Sequence, residues 1–300
     1  MTDRRALNPL RLAQGSIVLG LVVFALKLIA WHISLSSALF ADALESLVNV
    51  AAAILLTYAL RTAAKPADRE HPYGHAKAEL FSAVAEGVMI VIAAVLILQR
   101  VILDISHPAL PRHATLALSL NAAGGAMNAA YAIYLHRSGA AARHPAIAAD
   151  AGHLVADAFT TLGILGGLGA AIWFHLPILD PIIAIVVAGE ITVIGMRTVV
   201  RSLSTLLDRA PSPDVTERVR ALLRAHGDGA IEAHDLRMRE AGSSRFLEFH
   251  LVVPGAMSVA AAHAICDRIE AALKLEIPGV VITIHIEPDA KAKREGVLLN

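Results

Sequence analysis

Six stretches of this chain, at about 13–33, 37–60, 80–103, 113–136, 146–174 and 178–203, each run some twenty or more residues with mostly apolar side chains. A helix needs about 20 such residues to cross a bilayer. The spacing therefore predicts six membrane-spanning helices and little room in the first two thirds of the chain for anything else. Composition agrees, because 56% of the residues are hydrophobic and 17% charged, with mean hydropathy +0.60. Soluble domains carry about 25% charged residues. The cations then orient the spans. Arg4, Arg5 and Arg11 precede the first, Arg61, Lys65, Arg69 and Lys77 follow the second, Arg137 and Arg143 follow the fourth, and Arg201 and Arg209 follow the sixth. The opposite connections hold only Arg112. By the positive-inside rule both termini are cytoplasmic, in a multi-pass protein of a cell membrane. The first span is too long for a signal core, so no cleavable leader is expected.

Two of these spans carry the same polar pattern. The second contains Asp42, Glu45 and Asn49, and the fifth contains Asp150, His153 and Asp157, so polar groups at i, i+3 and i+7 line one helix face in each. Ionisable groups at that depth are costly unless paired, hydrated or bound to a cation, and by default they mark a transport pathway. Glu45 and Asp157 would give two negative charges, His153 an imidazole and Asn49 a carbonyl oxygen. With a divalent ion the formal charge sums to zero. Zinc and iron accept such mixed nitrogen and oxygen ligands. The alternative is hydrogen bonding between packed helices. Asp42 and Asp150, one turn away, are candidates for supporting the ligands or for direct ligation.

The segment after the second span reads Asp68-Arg69-Glu70-His71-Pro72-Tyr73-Gly74-His75. Asp68, His71 and His75 are metal-type ligands, with Pro72 and Gly74 bending the chain between them; solvated histidines are the alternative. Pro-Tyr-Gly between the histidines rules out the helical H-E-x-x-H arrangement of a metallopeptidase, and no nucleophile–base arrangement occurs within the spans. An enzyme is not expected. Equal numbers of Lys+Arg and Asp+Glu, 26 each, give no reason to expect a nucleic-acid partner. The single cysteine, Cys266, excludes an internal disulfide framework and a cysteine-based zinc finger.

Near Asp208 the composition changes. Pro211-Ser212-Pro213-Asp214 signals a helix start, with Asp214 as N-cap. The pattern beyond it predicts helix 214–226, strands 231–240 and 245–253, helix 258–275 and strand 279–287. This αββαβ order implies a small α+β domain with its helices on one face of a sheet. The domains are thus a six-helix, all-α transmembrane transport domain over 1–208 and an α+β cytoplasmic metal-binding domain over 209–300. His234, His250, His263, His285 and Glu287 in so short a segment point to a cytoplasmic metal site, with His285 and Glu287 on one strand face.

These features resemble the cation diffusion facilitator family over nearly the whole chain. The resemblance lies in the six spans, in Glu45-Ser46-Leu47-Val48-Asn49, in His71-Pro72-Tyr73-Gly74-His75-Ala76-Lys77-Ala78-Glu79, in His153…Asp157 and in a metallochaperone-like αββαβ tail. It implies a homodimer in the lipid bilayer that exports divalent cations, Zn²⁺ or Fe²⁺ first among them and Co²⁺, Cd²⁺ or Mn²⁺ after, in exchange for protons. Metal ions would then be both the substrate and structural or regulatory ligands. The resemblance further implies an intramembrane transport site of Glu45, Asn49, His153 and Asp157, and a loop site of Asp68, His71 and His75. His234, His250, His263, His285 and Glu287 would form a cytoplasmic site. Lys77 and Asp208 would form a charge pair tying the third and sixth spans at the dimer interface.

The chain departs from the family at the second span, where two carboxylates, or His with Asp, are usual. Asn49 removes a charge and a titratable group, which implies weaker metal binding and proton coupling resting on His153, Glu45 and Asp157. The retained imidazole favours zinc, iron(II) or cobalt over manganese. The same departure leaves room for a family member that senses metal or acts as a scaffold without transporting. A passive cation channel is a further alternative.

Overall fold

The computed structural model describes residues 9–137, 145–242, 244–293 and 296–299; Arg4, Arg5 and Arg143, used above for orientation, lie outside them. Six long helices come first: α1 (Pro9–Ser34), α2 (Ser37–Ala63), α3 (Ala78–Ile105), α4 (Ala114–Arg137), α5 (Pro145–Trp173) and α6 (Leu179–Leu206). Five of them are long and apolar enough to cross a membrane. The remaining expected span, α4, is less apolar. Its 24 residues still reach about 36 Å at 1.5 Å per residue, but Asn121, Gly124, Gly125 and Asn128 are buried along it. Small and polar residues at helix contacts lower hydropathy without shortening the helix.

The chain forms two compact units, one of Met1–Tyr58 with Ser82–Val199 and one of Ala59–Phe81 with Val200–Asn300. In the first, the helices are joined by polar groups as well as by apolar packing. Ser36 caps α2, accepting from Leu39 N, while the Asp180 carboxylate of α6 accepts from Ser36 Oγ and from the backbone N–H groups of Ser37 and Ala38. Buried N–H groups at a helix start need such acceptors because the helix itself supplies none. Leu39, Ile97, Ile164, Leu168 and Ala188 form the centre of its largest apolar cluster.

The second unit contains α7 (Pro213–His226), β1 (Glu232–Ala241), β2 (Ser244–Val253), α8 (Val259–Glu276), β3 (Val280–Pro288), a 3₁₀ turn (Asp289–Lys291) and β4 (Val297–Leu298). The sheet order is β3-β2-β1-β4, with β1 and β2 antiparallel and β2 and β3 parallel through the α8 crossover. Two details differ from expectation. The N-cap of α7 is Ser212, and Pro213 takes the first helical position, which places Asp214 in the first turn. Proline suits that position because its missing N–H would be unpaired there anyway. The short edge strand β4 carries no periodic signal in two residues.

Along β2, Leu247, Phe249 and Leu251 are buried against α7 and α8 through Leu223, Ile269 and Leu273. The alternate residues Glu248 and His250 are left on the other face. Phe249 is 1% exposed and Leu275 is 84% exposed. Phe249→Ala is therefore expected to destabilise this unit by about 3–5 kcal/mol, and Leu275→Ala by about 0.5 kcal/mol or less, measured as urea unfolding of the sheet signal.

Candidate metal sites

Three groups of ligand-type side chains occupy three different environments. Between the helices, Asn49 Nδ2 of α2 donates to Asp157 Oδ2 of α5 at 2.9 Å, and Asn128 of α4 donates to the same oxygen at 3.5 Å. His153 Nε2 lies 3.9 Å from Asp157 Oδ1, one helical turn away. Glu45 Oε2 is buried and has no hydrogen-bond partner. Glu45, Asn49, His153 and Asp157 all line one cavity of about 80 Å³. That is room for several waters at about 10–15 Å³ of free volume each, or for a partly hydrated cation. A second cavity, of about 50 Å³, shares Asn49, His153 and Asp157 and is also lined by Ser16, Ala53 and Asp150. The two halves of the expected intramembrane set are thus brought together, with Asn128 as a contributor the sequence pattern does not mark.

The flanking acids find other partners. Asp42 is ion-paired with Lys27 of α1 at 2.6 Å, both 1% exposed, and Asp150 accepts from Ser16 Oγ of α1. Both therefore link α1 to the helix that carries them.

In the segment after α2, the backbone wraps around one carboxylate. Asp68 Oδ1 accepts from His71 N at 2.7 Å and Glu70 N at 3.0 Å. Gly74, at φ 81, donates back to His71 O and closes the turn. The result sets His71 Nδ1 3.4 Å from Asp68 Oδ1 and His75 Nε2 3.5 Å from Oδ2, with the rings 4.4 Å apart. The backbone N–H of His71, above all, holds the Asp68 carboxyl below the usual carboxylate range. His75 Nδ1 is buried without a partner. Tyr73 projects from this turn onto Phe246 at 5.7 Å, and the Arg239 guanidinium stacks 4.4 Å from the Phe246 ring centre.

The third group crosses the sheet. His234 of β1 pairs with His250 of β2, and His250 pairs in parallel register with His285 of β3. Three histidines consequently stand in a row, with ring centres 5.3 and 4.9 Å apart. Glu287 shares their face and lies 3.3 Å from His234, 3.4 Å from His250 and 3.8 Å from His285. Both ring nitrogens of His234 and Nδ1 of His250 are buried without hydrogen bonds. Unpaired buried nitrogens are costly in a finished fold, so they fit a cation. Strict alternation would send Asp235 to the far face. Instead the β1 register slips between His234 and Arg237, and Asp235 takes φ 52. A bulge of this kind re-aims a side chain, and Asp235 Oδ2 comes within 3.9 Å of His250 Nδ1. Lys293 donates to Asp235 at 2.6 Å and, as the main cause, keeps that carboxyl below its ordinary range.

Among the described residues, two sets of three such side chains offer ligand atoms all within 4.8 Å of one another: Asp68, His71 and His75, and His234, Asp235 and His250. The intramembrane four are more widely set. His263 is not brought into the strand cluster. It stands on the exposed side of α8, 71% exposed, with Asp267 at 3.7 Å.

Lys77 and Asp208 form an ion pair at 3.2 Å within one chain, and Arg239 donates to the same Asp208 oxygen at 3.2 Å. Desolvation opposes ionisation of Asp208, but the two cations outweigh it and its carboxyl is lowered. The pairing is therefore in place above about pH 3.9, the ordinary aspartate value, and is lost as pH falls through the lower folded value. Gly242, at φ 59, lies against the Ala76 carbonyl, where a Cβ would collide.

Comparison with known proteins bears on the chain as a whole. The cation efflux transmembrane domain matches residues 14–207, and the cytoplasmic domain of cation efflux proteins matches residues 211–289. An uncharacterised transporter of Synechocystis sp., sll1263, is 36% identical over 91% of this chain and 88% of its own length. The cation-efflux pump FieF of Shewanella oneidensis is 29% identical over 92% of this chain and 93% of its own. A solved structure of CzrB in its zinc form is 48% identical, covering 29% of this chain and 99% of that one, with a TM-score of 0.28. A helical membrane domain followed by an α+β tail, matched along almost its whole length, makes this chain a member of the cation diffusion facilitator family of cation efflux transporters.

Proposed function

We propose that this chain exports a divalent transition-metal cation, Zn²⁺ or Fe²⁺, from the cytoplasm in exchange for protons, as a homodimer working by alternating access. Residues 1–208 carry the transport and residues 209–300 the metal binding and dimerisation. The observation that carries the reading is the pair of half-sites facing one cavity, Glu45 and Asn49 from α2 and His153 and Asp157 from α5, tied by the Asn49–Asp157 hydrogen bond. Two carboxylates, an imidazole and an amide oxygen suit a divalent ion of borderline softness, and the imidazole is what separates zinc, iron(II) and cobalt from manganese.

Ligation requires a neutral imidazole, and an ordinary histidine exchanges its proton near pH 6.5. Metal loads where the proton concentration is low. When the site turns to a more acidic side, protons displace the metal from His153 and a carboxylate. Asn49 cannot titrate, so the proton exchange falls on Glu45, His153 and Asp157. Asp68, His71 and His75, and the strand set His234, His250, His285 and Glu287 with Asp235, are read as regulatory or structural metal sites on the cytoplasmic side. His263 remains available at the surface of α8. Unpaired nitrogens on His75, His234 and His250 support that reading.

Four measurements test the proposal. In reconstituted vesicles, Asp157→Ala and His153→Ala are expected to abolish zinc-driven proton movement, and unchanged flux in both would exclude the intramembrane assignment. Counterflow with Zn²⁺, Fe²⁺, Co²⁺, Cd²⁺ and Mn²⁺ is expected to rank manganese last. Asn49→Asp restores a carboxylate and is expected to tighten metal binding about tenfold, equivalent to about 1.4 kcal/mol, while making flux more steeply pH-dependent. For the strand set, His250→Ala removes the central ligand. It is expected to weaken zinc binding by about 100-fold, one ligand's share of a site worth about 10 kcal/mol or more, as read by competition with a chelator.

A further inference from the structure

The buried contact between Lys27 and Asp42 stands apart from the ligand set. Lys27 Nζ of α1 and Asp42 Oδ1 of α2 are 2.6 Å apart, and Thr161 Oγ1 of α5 donates to Asp42 Oδ2 at 3.3 Å. All three residues are 1% exposed. Asp42 lies one turn before Glu45 on α2, and Thr161 lies one turn after Asp157 on α5. The three therefore form one layer next to the proposed transport site, displaced toward the ends of the helices that carry the 35–36 and 174–178 connections. The helix α4 closes on the same layer. At Gly125 a Cβ would stand 2.7 Å from Thr161 Cγ2, so only glycine permits that approach.

Two cavities that touch Asp157 stop short of this layer. One extends from the site toward Ser16, Ala53 and Asp150, and the other toward Ile90, Glu190 and Ile194. Neither is lined by Lys27, Asp42 or Thr161. Beyond the layer, Leu39, Ile164 and Leu168 are fully buried. A cation leaving toward that end must pass where Asp42 now joins α1 to α5. It passes only if the α2–α5 link opens.

We infer that the Lys27–Asp42–Thr161 layer is the gate on the release side of the transport site, closed in this structure. The inference rests on the transport reading above. A paired lysine and aspartate suit the role for a physical reason. Closed, they neutralise one another in a medium that solvates neither. Once the helices part, entering water solvates both, so the open state carries no uncompensated buried charge. Lys27 and Asp42 thus act on the route to the metal rather than on the metal.

The test is sidedness of access. Ser46→Cys places a thiol on α2 at a position that lines the Ser16–Asp150 cavity. Cys266, the native thiol, is buried in the tail. In membrane vesicles of known orientation and without metal, a membrane-impermeant maleimide is expected to label the introduced thiol from the face that carries the 65–77 segment. Adding Lys27→Met with Asp42→Asn, which leaves no lone charge, is expected to speed labelling from the opposite face by about tenfold, an equivalent shift in the open population. Unchanged labelling from that face overturns the gate. A purely structural role would lower thermal stability without altering sidedness. Should the double variant fail to fold, Thr161→Val decides by the same readout, since it removes only the α5 link: faster far-face labelling supports the gate and unchanged labelling overturns it. Metal is absent throughout, so a failed gate is distinguishable from a failed transport site, which Asp157→Ala flux reports.

Discussion

Hydrocarbon solvates no charge, and that constraint organises the helical part of this chain. Lys27, Asp42, Asp150 and Asp157 each meet a polar partner on another helix: Lys27 with Asp42, Asp42 with Thr161, Ser16 with Asp150, Asn49 and Asn128 with Asp157. These contacts cross-link the helices at several depths. Helix association in a bilayer has no hydrophobic drive of its own and depends on packing and such bonds. Glu45 departs from this pattern, with one buried oxygen left without a partner. Glu45 lines a cavity shared with Asn49, His153 and Asp157, where, on the proposed transport reading, a cation would be the missing partner. The same rule that pairs the other groups explains why this one is left open.

The tail solves a different problem with different means. A sheet of three long strands fixes side chains at set spacings, so one histidine per strand in matching register yields a row about 5 Å from ring to ring. Register alone would supply only groups from one face. The bulge at Asp235 adds a carboxylate from a position that alternation assigns to the other side. Backbone strain at a non-glycine residue with positive φ is sustained because Lys293 and the neighbouring strands hold the side chain.

Much of this is legible in the sequence, for reasons of length and period. Twenty-residue apolar runs and the αββαβ pattern survive any tertiary detail, and the i, i+3, i+7 spacing of Asp42, Glu45 and Asn49, repeated by Asp150, His153 and Asp157, needs only helical geometry. What the sequence does not display depends on partners. Lys27 sits in an apolar run of α1 and, read alone, is one charge among many. Its cost at that depth is the available signal for a buried acid elsewhere. Asn128 belongs to the least apolar span and carries no motif. Asp235 is hidden by a bulge, which period-two reading cannot anticipate. Ser212 and Asp214 compete for one cap, and Pro213 decides between them through its missing N–H.

The three ligand sets also differ in a way that fits a carrier. The tail and turn sets are compact, with ligand atoms within 4.8 Å of one another, the spacing that a site retaining its ion would need. The intramembrane set is wider, partly self-bonded through Asn49, and carries one carboxylate fewer than two charged pairs would. A transport site must surrender its cargo each cycle, so differential binding between two states matters more than depth of binding in either. An amide that bonds Asp157 in the empty site competes with the metal for that carboxylate. On the proposed transport reading, Asn49 lowers the cost of the empty carrier as well as the strength of the loaded one, and both effects favour release.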